Sequence, residues 1–380
     1  RILVRTENKI VWDTGKIAAR DQSFIRYEGE TLHSEQRYDW IVSVWNNHGE
    51  EASASSDFET AFLSENDWIG KWIECPFKRE AANEYAFGAS YPPVLFEKTF
   101  ELDHEIERAR ISATAYGVYE LKMNGCKADD RALAPEFTPY GKIMYYQRYD
   151  VTEYLAKGKN KLEMYVGDGW YFSTQARPVM ETYHNEPSVL FQLEITYKNG
   201  ITKTICSDGT ETCRLGQIVY SDLYQGEKRD YRIQNTENHP VQVKEYGYRH
   251  LCIQPMPPIR PIRMIPAMDV FVSPAEETIV DFGQVIAGKA KIKIHAPKDT
   301  EITLEYFEVL DSDGNYINTM FAPQKDTIIS DGKPIEHEVK FTFHGFRYIR
   351  VSGIKNVRKE DFTAILLSTG KENKGSFYCS

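Results

Sequence analysis

The chain has 380 residues, enough for two to four domains at roughly 100 to 200 residues each, and carries 46 Lys plus Arg against 56 Asp plus Glu, a formal charge of −10. That acidic balance excludes a nucleic-acid backbone or an anionic membrane surface as the main partner, and no apolar run reaches the roughly 18 residues of a transmembrane helix. A 13% aromatic fraction, with 24 Tyr and 6 Trp, excludes a disordered chain.

Residue 1 is Arg and is followed at once by the strand-like Ile2-Leu3-Val4, so the chain is expected to begin inside a longer gene product. Residues 1–62 carry apolar–polar alternation bounded by turns, as in Tyr38 to Trp45 (YDWIVSVW), and close on the polar Ser53 to Asp57; this is the pattern of a small sandwich. Residues 63–91 read as a connector, with Trp68 and Trp72, four apart, expected as a wedge between domains.

A second unit, 92–254, begins the next set of strands, among them Tyr119 to Met123 (YELKM) and Leu190 to Tyr197 (LFQLEITY). Asn124-Gly125 is expected to make a type I′ hairpin turn. Asp129-Asp130 and Leu133-Ala134-Pro135 follow, and Asp150 is placed to cap a short helix opened by Val151. Gly167-Asp168-Gly169-Trp170-Tyr171 then sets a carboxylate between two glycines beside two aromatics. Flexible backbone, a hard oxygen ligand and flat rings are ingredients of a sugar site, because rings cover the C–H face of a pyranose while carboxylates or calcium hold its hydroxyls. A turn with two core aromatics accounts for the same string equally well.

Residues 255–267 form a Pro-rich hinge, short of the donors a central strand needs. A third unit, 268–370, is again strands, with Asp313-Gly314 and Asp331-Gly332 as expected hairpin tips. Within it, Asp281-Phe282-Gly283 reads as a tight turn between strands and His344 as part of a strand-end turn. Residues 371–380 form a closing junction. The whole is therefore all-β, a tandem of β-sandwich and jelly-roll domains.

The chain has no Gly-rich phosphate loop, no GxSxG elbow, no HExxH and no EF-hand loop. Its six cysteines lie without a CxxC pair, which excludes the common zinc and redox spacings. Buried free thiols are expected, with a Cys206–Cys213 hairpin bridge as the alternative in an oxidising compartment. The compartment itself, periplasmic or exported against cytoplasmic, stays open.

Taken in order, these strings resemble the non-catalytic front half of the bacterial α-L-rhamnosidases. The likeness rests on Tyr38 to Trp45 with Phe58-Glu59-Thr60; on Gly117 to Leu121, Asn124-Gly125, Leu133-Ala134-Pro135, Asp150-Val151-Thr152, Gly167 to Tyr171 and Tyr224 to Glu227; and on Asp281 to Gln284, Gly288 and Phe343 to Tyr348. It implies a fibronectin III-like sandwich, a galactose-binding-like jelly roll and a further β-sandwich, followed in the family by a catalytic (α/α)6 barrel. No long helical pattern stands in these 380 residues, and Gly375 to Ser380 is similar to the junction leading into that barrel.

The resemblance implies a parent enzyme that removes terminal α-L-rhamnose from glycosides by inverting hydrolysis, with no catalytic residue in this chain, which is expected to be inactive alone. The partners implied are a rhamnose-containing glycan and the chain's own catalytic domain. It further implies a calcium-assisted sugar site in the jelly roll, with Asp129, Asp130 and Asp168 as ligands to calcium or hydroxyls (Asp129 and Asp168 for the metal), Trp170 and Tyr171 as platforms, and Asn185 beside them. Phe172-Ser173-Thr174 stands where relatives have an Arg-Gly step, a departure from the pattern. The competing readings are a structural or adhesive β-protein without a sugar ligand, and an enzyme with an unrecognised site.

Overall fold

Short alternating strands with branched and aromatic residues pair with their chain neighbours, and the first 69 residues do so in one antiparallel sheet. The computed structural model describes residues 1–7, 9–18, 23–85, 88–172, 186–370 and 375–379, and divides into two units, Arg1–Ile69 and Gly70–Ser380. In the first unit the strand order is Lys9–Asp13, Ile2–Thr6, Arg37–Trp45, Glu51–Glu59. Tyr38 is buried and stacks on Phe58 with ring centroids 5.3 Å apart, over Val4 and Val11. Its hydroxyl accepts the His33 N–H at 2.8 Å, which satisfies the polar end of a core tyrosine. Trp68 packs edge-on against Phe62 inside this unit.

The second unit opens with a jelly roll of two sheets. One sheet runs Cys126–Lys127, Val118–Met123, Gly158–Gly167, Val94–Leu102, Thr212–Leu215, His239–Pro240. The other runs Gln242–Lys244, Trp72–Glu74, Ser188–Tyr197, Ile106–Tyr116, Met144–Asp150, Leu251–Ile253, with Thr202–Cys206 added on Ser188–Tyr197. Val94, Phe96, Leu162, Met164 and Val166 from the first sheet meet Ile111, Ala113, Phe191 and Leu193 from the second in one core. Each large apolar side chain among them contributes about 1.5–3 kcal/mol through burial, and the every-second-residue spacing that delivers it is the pattern legible in the sequence. The Asn124-Gly125 turn has φ of 51° and 83°, and joins Met123 to Cys126 as a two-residue hairpin. Asp150 Oδ1 accepts the Thr152 N–H at 3.1 Å ahead of a single 3-10 turn, Thr152–Tyr154. Cys206 and Cys213 lie in different sheets and both are free thiols, so no hairpin holds them together.

Most of the remaining strands build one large sheet, in the order Ile218–Asp222, Gly226–Asp230, Lys325–Ile329, Glu301–Phe307, His344–Ser352, Thr278–Ile294, Phe362–Ser368, Arg260–Pro266, with Asp269–Val272 and Ile335–Glu338 added on Thr278–Ile294; Asn83–Tyr85 and Gly88–Ser90 pair separately. Four local expectations change here. Residues 218–230, expected with the jelly roll, join this sheet through parallel pairing of Lys228, Arg229 and Asp230 with Thr327, Ile328 and Ile329. Part of the Pro-rich hinge is an edge strand, Arg260–Pro266, where a proline without an N–H loses nothing on the open side. Asp281-Phe282-Gly283 is no turn between strands but an irregularity inside the 17-residue strand Thr278–Ile294, where the register with the neighbouring strand shifts between Asp281 and Ile286 and Gly283 takes φ of 77°. Asp331-Gly332 joins strands that pair with different partners, so it is no hairpin tip; Asp313-Gly314 is one, closed by the Leu310–Tyr316 bridge.

His344 also departs from its expected place in a turn, since it opens the strand His344–Ser352 and is fully buried. Its Nε2 lies 3.1 Å from both Asp326 carboxylate oxygens, and Tyr306 stacks on its ring at 4.0 Å. Asp326 Oδ1 accepts the Glu227 N–H at 2.9 Å, and Glu227 Oε2 accepts the Lys340 N–H at 3.0 Å. The Lys340 ammonium then donates to Glu120 Oε1 at 2.6 Å, on a jelly-roll strand. A chain of buried polar groups thus ties the large sheet to the jelly roll.

Candidate functional site

The residues singled out from the sequence separate into a buried layer and a surface layer. Gly167, Asp168 and Gly169 lead from strand Gly158–Gly167 into the short helix Gly169–Phe172. Both glycines are required by close approach: a Cβ on Gly167 would lie 2.6 Å from the Phe341 ring, and one on Gly169 would lie 2.0 Å from Val118 Cγ2. Asp168 between them is fully buried. Arg79 Nη1 donates to its Oδ1 at 2.6 Å and the Tyr91 N–H donates to its Oδ2 at 3.0 Å. The Arg79 guanidinium also donates to Glu186 at 2.8 Å and lies over the rings of Tyr91 and Phe172.

Burial pushes the Asp168 carboxyl up to about 6 against the pull of Arg79. Arg79 itself, penalised by burial but held by Asp168 and Glu186, stays charged. Asp168 is therefore a structural anchor, with both oxygens engaged inside the protein. Tyr171 is likewise core: it packs among Tyr116, Tyr140 and Phe172 at centroid distances of 4.8, 5.3 and 4.6 Å. Tyr116 continues this aromatic cluster to Trp72, stacked at 4.7 Å.

Trp170, one residue before Tyr171, is half-buried. Its inner side rests on Val118, Leu133, Ile218 and Phe341, and its ring centroid is 6.4 Å from that of Phe137. Phe137 is 62% exposed, which makes it the outer partner of an aromatic pair open to solvent. The loop carrying it is held in an unusual shape, with φ of 58° at Leu133 and 70° at Glu136. Left-handed geometry at non-glycine residues costs on the order of 1–3 kcal/mol and persists only where the surroundings impose it. Here the Glu136 carboxylate accepts from Gln254 Nε2 at 2.8 Å and the Ile259 N–H at 3.0 Å, while the Ala132 N–H donates to the Ile259 carbonyl.

Asp129 and Asp130 stand on the same loop. Asp129 Oδ2 accepts from Arg131 Nε at 2.5 Å, and Asp130 Oδ1 lies 3.3 Å from Arg260 Nε with its side chain 58% exposed. Asn185 lies outside the described residues. Calcium takes six to eight oxygen ligands, whereas Asp129 and Asp168 are each held by a guanidinium. Among the described residues no group of three or more His, Cys, Asp or Glu is arranged for a metal. The described donor set does not fit a calcium cage. What sequence reasoning missed is Phe137, Arg79 and Arg260, all of them partners brought in from other parts of the chain; only the bulk of Phe137 between two prolines hinted at a surface ring.

The chain is a succession of β-domains, and its jelly roll carries an aromatic pair, Trp170 and Phe137, open to solvent. Residues 1–64 match the Rha78A-like N-terminal immunoglobulin domain, residues 104–265 the α-L-rhamnosidase N-terminal domain, and residues 272–368 the bacterial α-L-rhamnosidase concanavalin-like domain. The chain belongs to the bacterial α-L-rhamnosidase family through these N-terminal β-domains. An α-L-rhamnosidase of Formosa agariphila is 28% identical over 397 residues, covering 98% of this chain and 42% of the relative, and one from Alteromonas sp. is 30% identical over 372 residues, covering 91% and 40%. The solved α-L-rhamnosidase of Dictyoglumus thermophilum superposes with a TM-score of 0.88 at 29% identity, covering all of this chain and 46% of that one; that of Aspergillus terreus gives 0.86 at 26%, with the same coverage. The chain thus spans less than half the length of the relatives it matches.

Proposed function

We propose that this chain is the ancillary β-portion of a glycoside hydrolase that releases terminal α-L-rhamnose by inverting hydrolysis, that it scaffolds the catalytic domain, and that its jelly roll presents a rhamnose-binding platform at Trp170 and Phe137. The observation that carries the reading is the ordered run of three α-L-rhamnosidase domains along the chain, with relatives more than twice its length. In that reading the separated acid and base of inverting hydrolysis belong to the part of the relatives beyond this span. The platform is supported by a half-buried indole whose inner face is fixed by packing and whose outer edge meets an exposed phenyl ring. Asp130 and Arg260, on the segments whose Ala132 and Ile259 pack in the same cluster as Trp170, supply an acceptor and a donor for hydroxyls.

Isothermal titration of the chain with L-rhamnose, with and without calcium, tests the platform. Heat that is lost in Trp170→Ala, with the circular dichroism unchanged, is the expected result. Absence of heat in both conditions removes the sugar-binding part of the proposal, and turnover of an aryl α-L-rhamnoside by the purified chain removes the ancillary part. A gain in binding on adding calcium would assign a ligand role to residues beyond those described.

A further inference from the structure

A second cleft, separate from the Trp170 surface, opens between the jelly roll and the edge of the large sheet, with a volume of about 340 Å³. That is the lower end of the range for small-molecule sites and suits one sugar residue. Leu95 and Ile233 supply apolar wall, while Tyr165, Arg214, Arg229 and Gln234 supply polar groups.

The two arginines are in different states. Arg214 is neutralised: its Nε and Nη2 reach the Glu97 carboxylate at 3.3 and 3.4 Å, and Nη1 donates to the Asn235 carbonyl. Arg229 has no carboxylate in ion-pair contact among the described residues. Its Nη2 donates only to the amide oxygen of Gln217 at 3.3 Å, its plane lies over the Tyr231 ring, and its Nε is buried without a partner. Glu227, two residues earlier on the same strand, is buried behind it and spends Oε2 on the Lys340 N–H. The hydroxyl of Tyr165 is also buried, near the Ile218 backbone but without a well-formed hydrogen bond.

The Arg229 charge is met by the Glu227 carboxylate only through space, beyond ion-pair reach, so its planar fork stays open to match a carboxylate with two parallel hydrogen bonds. Gln234 is exposed at the rim and free to pair with hydroxyls. We infer that this cleft binds a sugar acid, a hexuronate unit whose carboxylate pairs with Arg229 and whose hydroxyls meet Gln234. The polar groups of the cleft are not those of the rhamnose platform, although Ile218 lies under both.

The test titrates the 380-residue chain with D-glucuronate and D-galacturonate, and in parallel with D-glucose, L-rhamnose and inorganic sulfate. Binding of a hexuronate at least tenfold tighter than glucose or sulfate, weakened by added salt, is expected. Arg229→Gln should lower that affinity tenfold or more, and Arg229→Lys, which keeps the charge but loses the fork, should recover only part of it. Gln234→Ala, an exposed change that leaves the fold alone, should weaken hexuronate binding several-fold, while Trp170→Ala should leave it unchanged. Equal binding of sulfate and hexuronate, undiminished binding in Gln234→Ala and Arg229→Gln, or no hexuronate binding by the unaltered chain each overturns the proposal.

Discussion

Asp168 and Asp130 carry the same chemistry and do opposite work because of where their carboxylates end. Removing Asp168 leaves Arg79, itself buried, short of a counter-charge, and breaking such a pair costs about 3–5 kcal/mol. Asp168→Ala should lower the denaturation midpoint accordingly, whereas Asp130→Ala, at a 58% exposed side chain, should stay within about 0.5 kcal/mol; urea titration of both variants compares them directly. His337 makes a second prediction. It is fully buried, and burial depresses its titration from 6.5 to about 4. The unfolded chain therefore binds a proton between those values that the folded one refuses, and stability falls as pH drops through that window, by about 3 kcal/mol at most. Asp168 acts in the opposite sense, its contribution being present at low pH and lost as pH rises from 3.8 to about 6. Comparison of Tm against pH for the unaltered chain and His337→Gln isolates the histidine: the variant should lose less stability between pH 7 and about 4.5.

At the scale of elements, glycine placement decides where strands approach. A Cβ on Gly226 would lie 2.1 Å from the Lys325 carbonyl oxygen, and its φ is 88°. Gly226→Ala should therefore cost about 1–3 kcal/mol and expose the parallel seam with Lys325–Ile329, read as faster hydrogen exchange at Lys228 to Asp230 than in the unaltered chain. Alternation made Tyr119 to Met123, Leu190 to Tyr197 and Tyr38 to Trp45 legible as strands from the order of their residues. The parallel pairing of Gly226–Asp230 was not legible in that way, since it joins segments about a hundred residues apart and leaves no local signature. Nor was the edge-strand role of Arg260–Pro266, because a run of prolines reads alike in a hinge and on an open sheet edge.

For the second unit taken whole, the tie from Asp326 through Glu227 and Lys340 to Glu120 couples its two halves. Burial disfavours the charge on Glu120, but Lys340 and Lys127 more than offset this and hold its carboxyl down to about 2. Its contribution is present above its ordinary value of 4.5 and is lost as pH falls toward 2. Lys340→Met should weaken that coupling, so that calorimetry resolves the jelly roll and the large sheet as separate transitions where the unaltered chain gives one.

The amino-acid sequence determined the all-β class, the strands with clear alternation, the Asn124-Gly125 hairpin and the family, because each is written in spacings of a few residues or in an ordered series of short strings. Tertiary structure alone decided the fates of the candidate site residues. Gly167-Asp168-Gly169-Trp170-Tyr171 is one string, yet its carboxylate is consumed by Arg79, one ring is sealed among Tyr116 and Tyr140, and the other stands beside Phe137. Partners as far as 89 residues away in the chain made those choices. Burial and charge pairing are properties of what surrounds a side chain, and those surroundings exist only after the sheets have closed.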